Sequence, residues 1–149
     1  MSENRWSKEY GNCFGCGENP WGLDLSFNPA GDSGVTAEIQ LDENYQGFRD
    51  VAHGGIVATM LDEAAVWAVN RRVGRLQPSF QLDCRFKNPV PLGKTLQVRG
   101  EVEDVRHGVA ISRTEVLNEE EKVLARAQVK TKLLSGEASA NRDNDGAEK

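Results

Sequence analysis

Two adjacent carboxylates, Asp62 and Glu63, stand inside a stretch that is otherwise almost wholly apolar. From Gly54 to Val69 of HGGIVATMLDEAAVWAV, only Thr59, Asp62 and Glu63 are polar. Acids in such surroundings are rarely buried without a partner or a task. The start of the stretch is unusual too. His53 is followed by Gly54 and Gly55, and glycines at a helix start leave bare backbone N–H groups at the positive end of the dipole. Donors of that kind can hold developing negative charge. A carboxylate in a water-poor setting can activate water or attack directly. Donors at one end and an acid in the middle define a candidate chemical site.

Helical geometry sets a condition on it. Asp62 lies nine residues beyond His53, roughly 13 Å along the axis and about half a turn around it. One helix cannot aim its N-terminal amides and Asp62 at the same small group. Two antiparallel copies can, each giving amides to the other's carboxylate across an isologous two-fold. The spacing therefore predicts a site shared between subunits.

The elements that must position these groups follow from the patterning. A segment apolar on nearly every side is a buried helix, expected here from Gly54 to about Val73, with Arg71 and Arg72 suited to its negative end and Gly74 to a left-handed stop. Before it, CFGCGENPWGLDLSF (Cys13 to Phe27) is dense in Gly, Pro and Asn. It reads as tight turns leading into a strand at about Leu23–Phe27. A turn over Asn28–Gly34 follows, then a strand in which Val35, Ala37, Ile39 and Leu41 alternate with polar residues. Residues 42–53 form a loop anchored by Tyr45 and Phe48.

After the helix, four strands succeed one another. Phe80, Leu82, Cys84 and Phe86 alternate in the first, and Leu96, Val98, Gly100 and Val102 in the second. A turn is expected over Asp104–Gly108, then a strand at about Val109–Leu117, and a last strand over Val123–Leu133. NPVPLGK breaks the pairing after the first, because two prolines do not fit a central strand. Strands in runs with one segregated helix indicate an α+β fold with an antiparallel sheet, read here as ending in a four-stranded meander and curling around the helix. One domain is expected over residues 1–134, with 1–22 as an N-terminal extension and loop. Trp6 and Tyr10 would pin a short turn, and the polar tail 135–149 would be disordered.

The bulk properties restrict the function classes. The chain has 149 residues, 28% of them charged, and a formal net charge of −5, which disfavours nucleic acid and anionic membrane as main partners. MSENRWSKEY does not resemble a signal peptide, and no apolar run approaches the ~20 residues of a membrane span. Three cysteines do not suggest a disulfide framework. The expected location is the cytoplasm.

Three stretches together, HGGIVATMLDEA, PSFQLDCRFKNPVPLGKTL and CFGCGENPWGLDLSF, make the chain resemble the hotdog-fold acyl-CoA thioesterases, and among them the subgroup related to phenylacetic-acid-degradation thioesterases. The resemblance runs from about Cys13 to Leu134. It implies a curved antiparallel sheet wrapped around one long central helix, hydrolysis of a small-to-medium acyl- or aryl-CoA thioester, and homodimers that pair into tetramers. It also implies roles. Asp62 matches the acid that serves as general base or nucleophile. Gly55 matches the glycine whose N–H polarises the thioester carbonyl. His53 matches the histidine that shapes the loop on the thioester side. Ser79 matches a hydroxyl that helps hold the attacking water. Gly54 and, at a spacing one residue off, Gln46 match substrate-binding positions. Neither a metal nor another cofactor is implied.

Plainer readings stand beside these. His53 can cap or brace a loop, Asp62 can bond backbone amides across a dimer, and Glu63 can be structural. Cys13 and Cys16 form a CxxC, but zinc wants four ligands, and only Cys84, His53 and His107 remain, so a structural turn is the reading taken. Arg49, Arg71, Arg72 and Arg75 suit solvated surface as well as CoA phosphates. A non-catalytic acyl-CoA-binding module is the alternative function. An enoyl-CoA hydratase is disfavoured, because no His follows Asp62 until His107.

Overall fold

The computed structural model describes residues 11–75 and 77–134. The expected turn at Trp6 and Tyr10 and the tail from residue 135 lie outside the described residues. The architecture is α+β. Six strands, β1 (Asn28–Ala30), β2 (Gly34–Ile39), β3 (Ser79–Phe86), β4 (Leu96–Arg106), β5 (Val109–Leu117) and β6 (Val123–Lys132), form one antiparallel sheet in the order β1-β2-β4-β5-β6-β3. The single long helix, α1 (Gly54–Val73), packs chiefly on β4, β5 and β6. No helix among the described residues is long and apolar enough to cross a membrane.

The helix ends where its residues dictate. His53 is the N-cap in extended conformation, and Gly74 closes the C-terminus at φ 81° with its N–H on the Asn70 carbonyl, a conformation cheap only for glycine. Arg71 reaches back and donates to the carbonyls of Gly34 (2.6 Å), Gly31 (3.1 Å) and Ala30 (3.3 Å). It thereby ties the helix end to the β1–β2 hairpin while remaining exposed.

Contact between helix and sheet is close at one point. A Cβ on Gly100 of β4 would stand 2.8 Å from the Ala64 carbonyl oxygen, so glycine lets α1 settle onto the sheet. Around that point Val57, Met60, Leu61, Ala65, Ala68 and Val69 are wholly buried.

Five expectations are corrected, the first being that Phe48 anchors the 42–53 loop, since it is 87% exposed. Leu23–Phe27 is not a strand. Its side chains do alternate, with Leu23, Leu25 and Phe27 buried, but the Leu23 and Leu25 N–H groups donate to Phe14 and Gly15 of the preceding loop, so no ladder forms. The Asn28–Gly34 turn is shorter, because Asn28–Ala30 already pairs with β2. Strand β4 runs on to Arg106 through a bulge near Val102–Asp104, leaving the reversal to His107 and Gly108, both at positive φ.

The four-stranded meander is a three-stranded one, β4-β5-β6. Strand β3 lies at the far edge, paired with β6. Alternation reveals strands, not their neighbours. The helix carries the chain from β2 to that far edge, and the proline-broken loop after β3 carries it back to β4.

Strand β3 differs from the others in burial. Its apolar residues remain open, with Phe80 55%, Leu82 39% and Phe86 58% exposed. Among the described residues β6 is its one neighbour in the sheet. Nothing among the described residues covers these side chains.

Candidate active site

The loop leading into α1 is fixed before the helix begins. The His53 N–H donates to the Tyr45 carbonyl at 2.8 Å, and the Ala52 N–H to Val90 at 2.8 Å. The Tyr45 hydroxyl donates to the Gly22 carbonyl at 2.6 Å, joining this loop to the N-terminal one. Gln46 is exposed and braces the same loop, its Oε1 accepting the Asp50 N–H at 3.0 Å.

At the helix start, the His53 carbonyl accepts from Ile56 (2.9 Å) and Val57 (3.1 Å). Its imidazole Nδ1 accepts the Gly55 N–H at 2.9 Å. The histidine thus performs the capping that Ser or Asp usually performs, and Gly55's amide is occupied in the free chain. Gly54's N–H has no acceptor among the described residues. Gly54 faces the Phe86 ring at the contact distance a Cβ would have, 3.8 Å. It lines an open, largely apolar depression of about 380 Å³ with Phe48, Val51, Val57, Phe86 and Val90. An open backbone donor at a helix N-terminus therefore opens onto a space for an apolar group.

Asp62 sits in the middle of α1, half-buried, with Oδ1 buried and without a hydrogen-bond partner. Its charge is felt across the helix–strand contact. Burial, then Asp83, then Asp62 push the Cys84 thiol of β3 up. Ser79, at the start of β3, also has a buried hydroxyl with no partner, and no hydrogen bond joins it to Asp62. The structure brings His53 and Gly55 together, leaves Gly54 open beside them, and sets Asp62 about eight residues, ~12 Å, along the helix. A single chain does not converge donors and acid.

One group of residues was missed by sequence reasoning. Glu63, on the face next to Asp62, meets the CxxC loop: the ligand atoms of Cys13, Cys16 and Glu63 lie within 4.8 Å of one another, with Cys13 Sγ 3.8 Å from Glu63 Oε1. Burial pushes the Glu63 carboxyl up, opposed by the Cys16 thiol and reinforced by the neighbouring Asp62 charge. Burial likewise pushes the Cys16 thiol up, with Glu63's charge adding. The signal in the sequence was Gly15 between the two cysteines, since a side chain there would occupy the space of the Glu63 carboxyl. Fifty residues separate the partners, so spacing alone could not connect them.

Comparison with known proteins places this geometry in context. A family model described as the thioesterase superfamily matches residues 50–125, just over half the chain, including all of α1 with His53, Asp62 and Ser79. No match among curated protein sequences is significant. Among solved structures, a thioesterase superfamily protein is 23% identical with a TM-score of 0.70 over 76% of this chain, which spans only 58% of that protein. A Streptococcus mutans protein solved bound to acetyl-CoA is 17% identical, with a TM-score of 0.66 over 74% of this chain and 88% of the other. The E. coli protein from the phenylacetic acid degradation operon is 17% identical, with a TM-score of 0.65 and coverage of 72% and 82%. At such identities the likeness is one of fold.

Proposed function

Because the chain belongs to the thioesterase superfamily, we propose that it hydrolyses the thioester of a small-to-medium acyl- or aryl-CoA, giving the free acid and CoA. The observation that carries this reading is Asp62, a carboxylate set half-buried in an apolar helix with one oxygen buried and unpartnered. A purely structural acid would have its oxygens satisfied. A hydrolytic one needs a free oxygen for water or for the acyl carbon.

In this reading the thioester carbonyl lies at the N-terminus of α1, against the open Gly54 N–H. The Gly55 N–H joins it when the His53 imidazole turns aside. The acyl group fills the apolar depression beside Phe86. Asp62 comes from a second subunit, because the same helix carries it ~12 Å too far along. Ser79 holds the attacking water, and Gln46 keeps the loop before His53 in shape. Two chains meet along the uncovered face of β3, which would bury Phe80, Leu82 and Phe86, and such dimers pair into tetramers. Membership in the phenylacetic-acid-degradation-related subgroup belongs to the same proposal. The acetyl-CoA held by the Streptococcus mutans neighbour supports CoA esters as the ligand class.

One observation favours a second reading. The Gly55 amide is already taken by His53, as it would be in a module that binds acyl-CoA without turning it over. Release of CoA thiol from a panel of aryl- and alkyl-CoA esters separates the two. Turnover that varies with the acyl group supports hydrolysis, and saturable binding with no thiol release supports the binding module.

A further inference from the structure

The loop Cys13–Gly17 folds back on itself, the Gly17 N–H donating to the Cys13 carbonyl at 2.9 Å. Both thiols therefore point to one side, where Glu63 of α1 meets them. Gly15 lies flat against the Glu63 side chain, and a Cβ there would displace it. The Leu23 and Leu25 amides pin Phe14 and Gly15 from behind. The cluster is thus held by backbone contacts on two sides rather than assembled by chance at a surface.

As a hydrogen-bonded turn the cluster is incomplete. Cys13 meets Oε1 of Glu63 at 3.8 Å, the long range of a weak thiol donor, and stands beside the Cys16 thiol. Glu63 Oε2 is buried without a hydrogen bond, and the buried indole N–H of Trp67, which acts on the same carboxylate, is unpartnered too. A buried acceptor left so calls for an ion or a water to satisfy it. The spacing suits an ion. Tetrahedral zinc with bonds of about 2.3 Å to sulfur and ~2.1 Å to oxygen sets sulfur and oxygen about 3.6 Å apart, close to the 3.8 Å between Cys13 Sγ and Glu63 Oε1, and all three ligand atoms lie within 4.8 Å of one another.

We infer that Cys13, Cys16 and Glu63 form a site for a borderline-soft divalent cation, Zn²⁺ above all, that clamps the N-terminal loop to the central helix. Two thiolates and one carboxylate are the donor set that selects zinc over magnesium or calcium. Binding releases the two thiol protons to solvent, and a water completes the tetrahedron. The clamp grips α1 at the residue next to Asp62 and so fixes the rotation of the helix there. This inference is independent of the proposed hydrolysis, since the ligands meet whatever Asp62 does.

The test is a titration of the full chain, reduced with a phosphine and stripped of metal, with Co²⁺ and then Zn²⁺. One Co²⁺ per chain is expected, with thiolate-to-cobalt charge-transfer absorption and the intense visible bands of a tetrahedral site, both erased by added Zn²⁺. Cys13→Ser and Cys16→Ser should each cut the charge-transfer band by half or more, and the double change should abolish it. Glu63→Gln should keep part of the band and weaken affinity at least tenfold, about 1.4 kcal/mol. Asp62→Asn should leave the stoichiometry unchanged. Absence of a thiolate band in the reduced wild type overturns the site, and so does a band that survives the double Cys13→Ser, Cys16→Ser change. The wild-type titration decides the matter even where a variant does not fold.

Discussion

The Nδ1 of His53 accepts the backbone N–H of Gly55 at 2.9 Å. In the proposed hydrolysis, the Gly55 amide that would hold the oxyanion is therefore covered by the residue two positions before it, and Gly54 supplies the open donor. A helix start needs its first N–H groups satisfied in the resting protein, whereas a catalytic helix start needs them free when substrate arrives. A side chain that can rotate away meets both needs.

Replacing that side chain separates the two roles. His53→Ala should lower stability by about 1 kcal/mol, the usual cost of losing an N-cap, as read by urea denaturation. The Gly55 N–H is then free without rotation, so turnover should fall by less than the ~10²–10³ that removal of an oxyanion donor costs. A loss of that full size would show that the imidazole itself acts on the reacting groups.

Much of this arrangement was legible in the residues. Helix α1 ends at Gly74 as its Arg–Arg–Val–Gly sequence requires, because few other residues adopt φ 81° cheaply. The alternation in β5 and β6 gave their extents closely. What stayed hidden was long-range. Nothing local to Ser79–Phe86 says that it pairs with β6 rather than β4, and Leu23–Phe27 has a strand's alternation but no neighbour to pair with. The meeting of Glu63 with Cys13 and Cys16 depends on how a turn-rich loop is laid against a helix, which no periodicity encodes.

Gly100 of β4 lies against the helix backbone at Ala64. Gly100→Ala places a methyl 2.8 Å from the Ala64 carbonyl oxygen and 3.0 Å from Thr114 Cγ2. Backbone cannot yield as a side-chain tip can, so α1 must lift. The expected cost is about 1–3 kcal/mol, as for other overpacked cores, measured by denaturant unfolding. A change of a few tenths would mean that the helix sits more loosely than described.

The open face of β3 gives a third prediction. Phe80→Asp puts a charge on a side chain that is 55% exposed in the single chain, so the isolated fold should tolerate it. If two chains meet there, the charge is driven into an apolar contact and the assembly should dissociate in sedimentation experiments. Hydrolysis should be lost with it, since donors and acid then never meet. A monomeric variant that retains wild-type turnover would show that the site is complete within one chain.

Asp62 bears on stability as well. Its buried Oδ1 has no partner, and a carboxylate so placed costs free energy in the folded state. Asp62→Asn should leave the folding stability unchanged or raise it, by up to about 1 kcal/mol. A marked fall would identify Asp62 as a structural acid whose partner lies in another subunit.

The most direct measurement is CoA-thiol release by the wild type beside Asp62→Asn on the best acyl-CoA ester of a panel, with the oligomer followed by light scattering. The account predicts turnover by the wild type and a loss of at least ~10² in the variant, with assembly and acyl-CoA binding intact. Equal turnover by both proteins, or tight binding without hydrolysis by either, would contradict it.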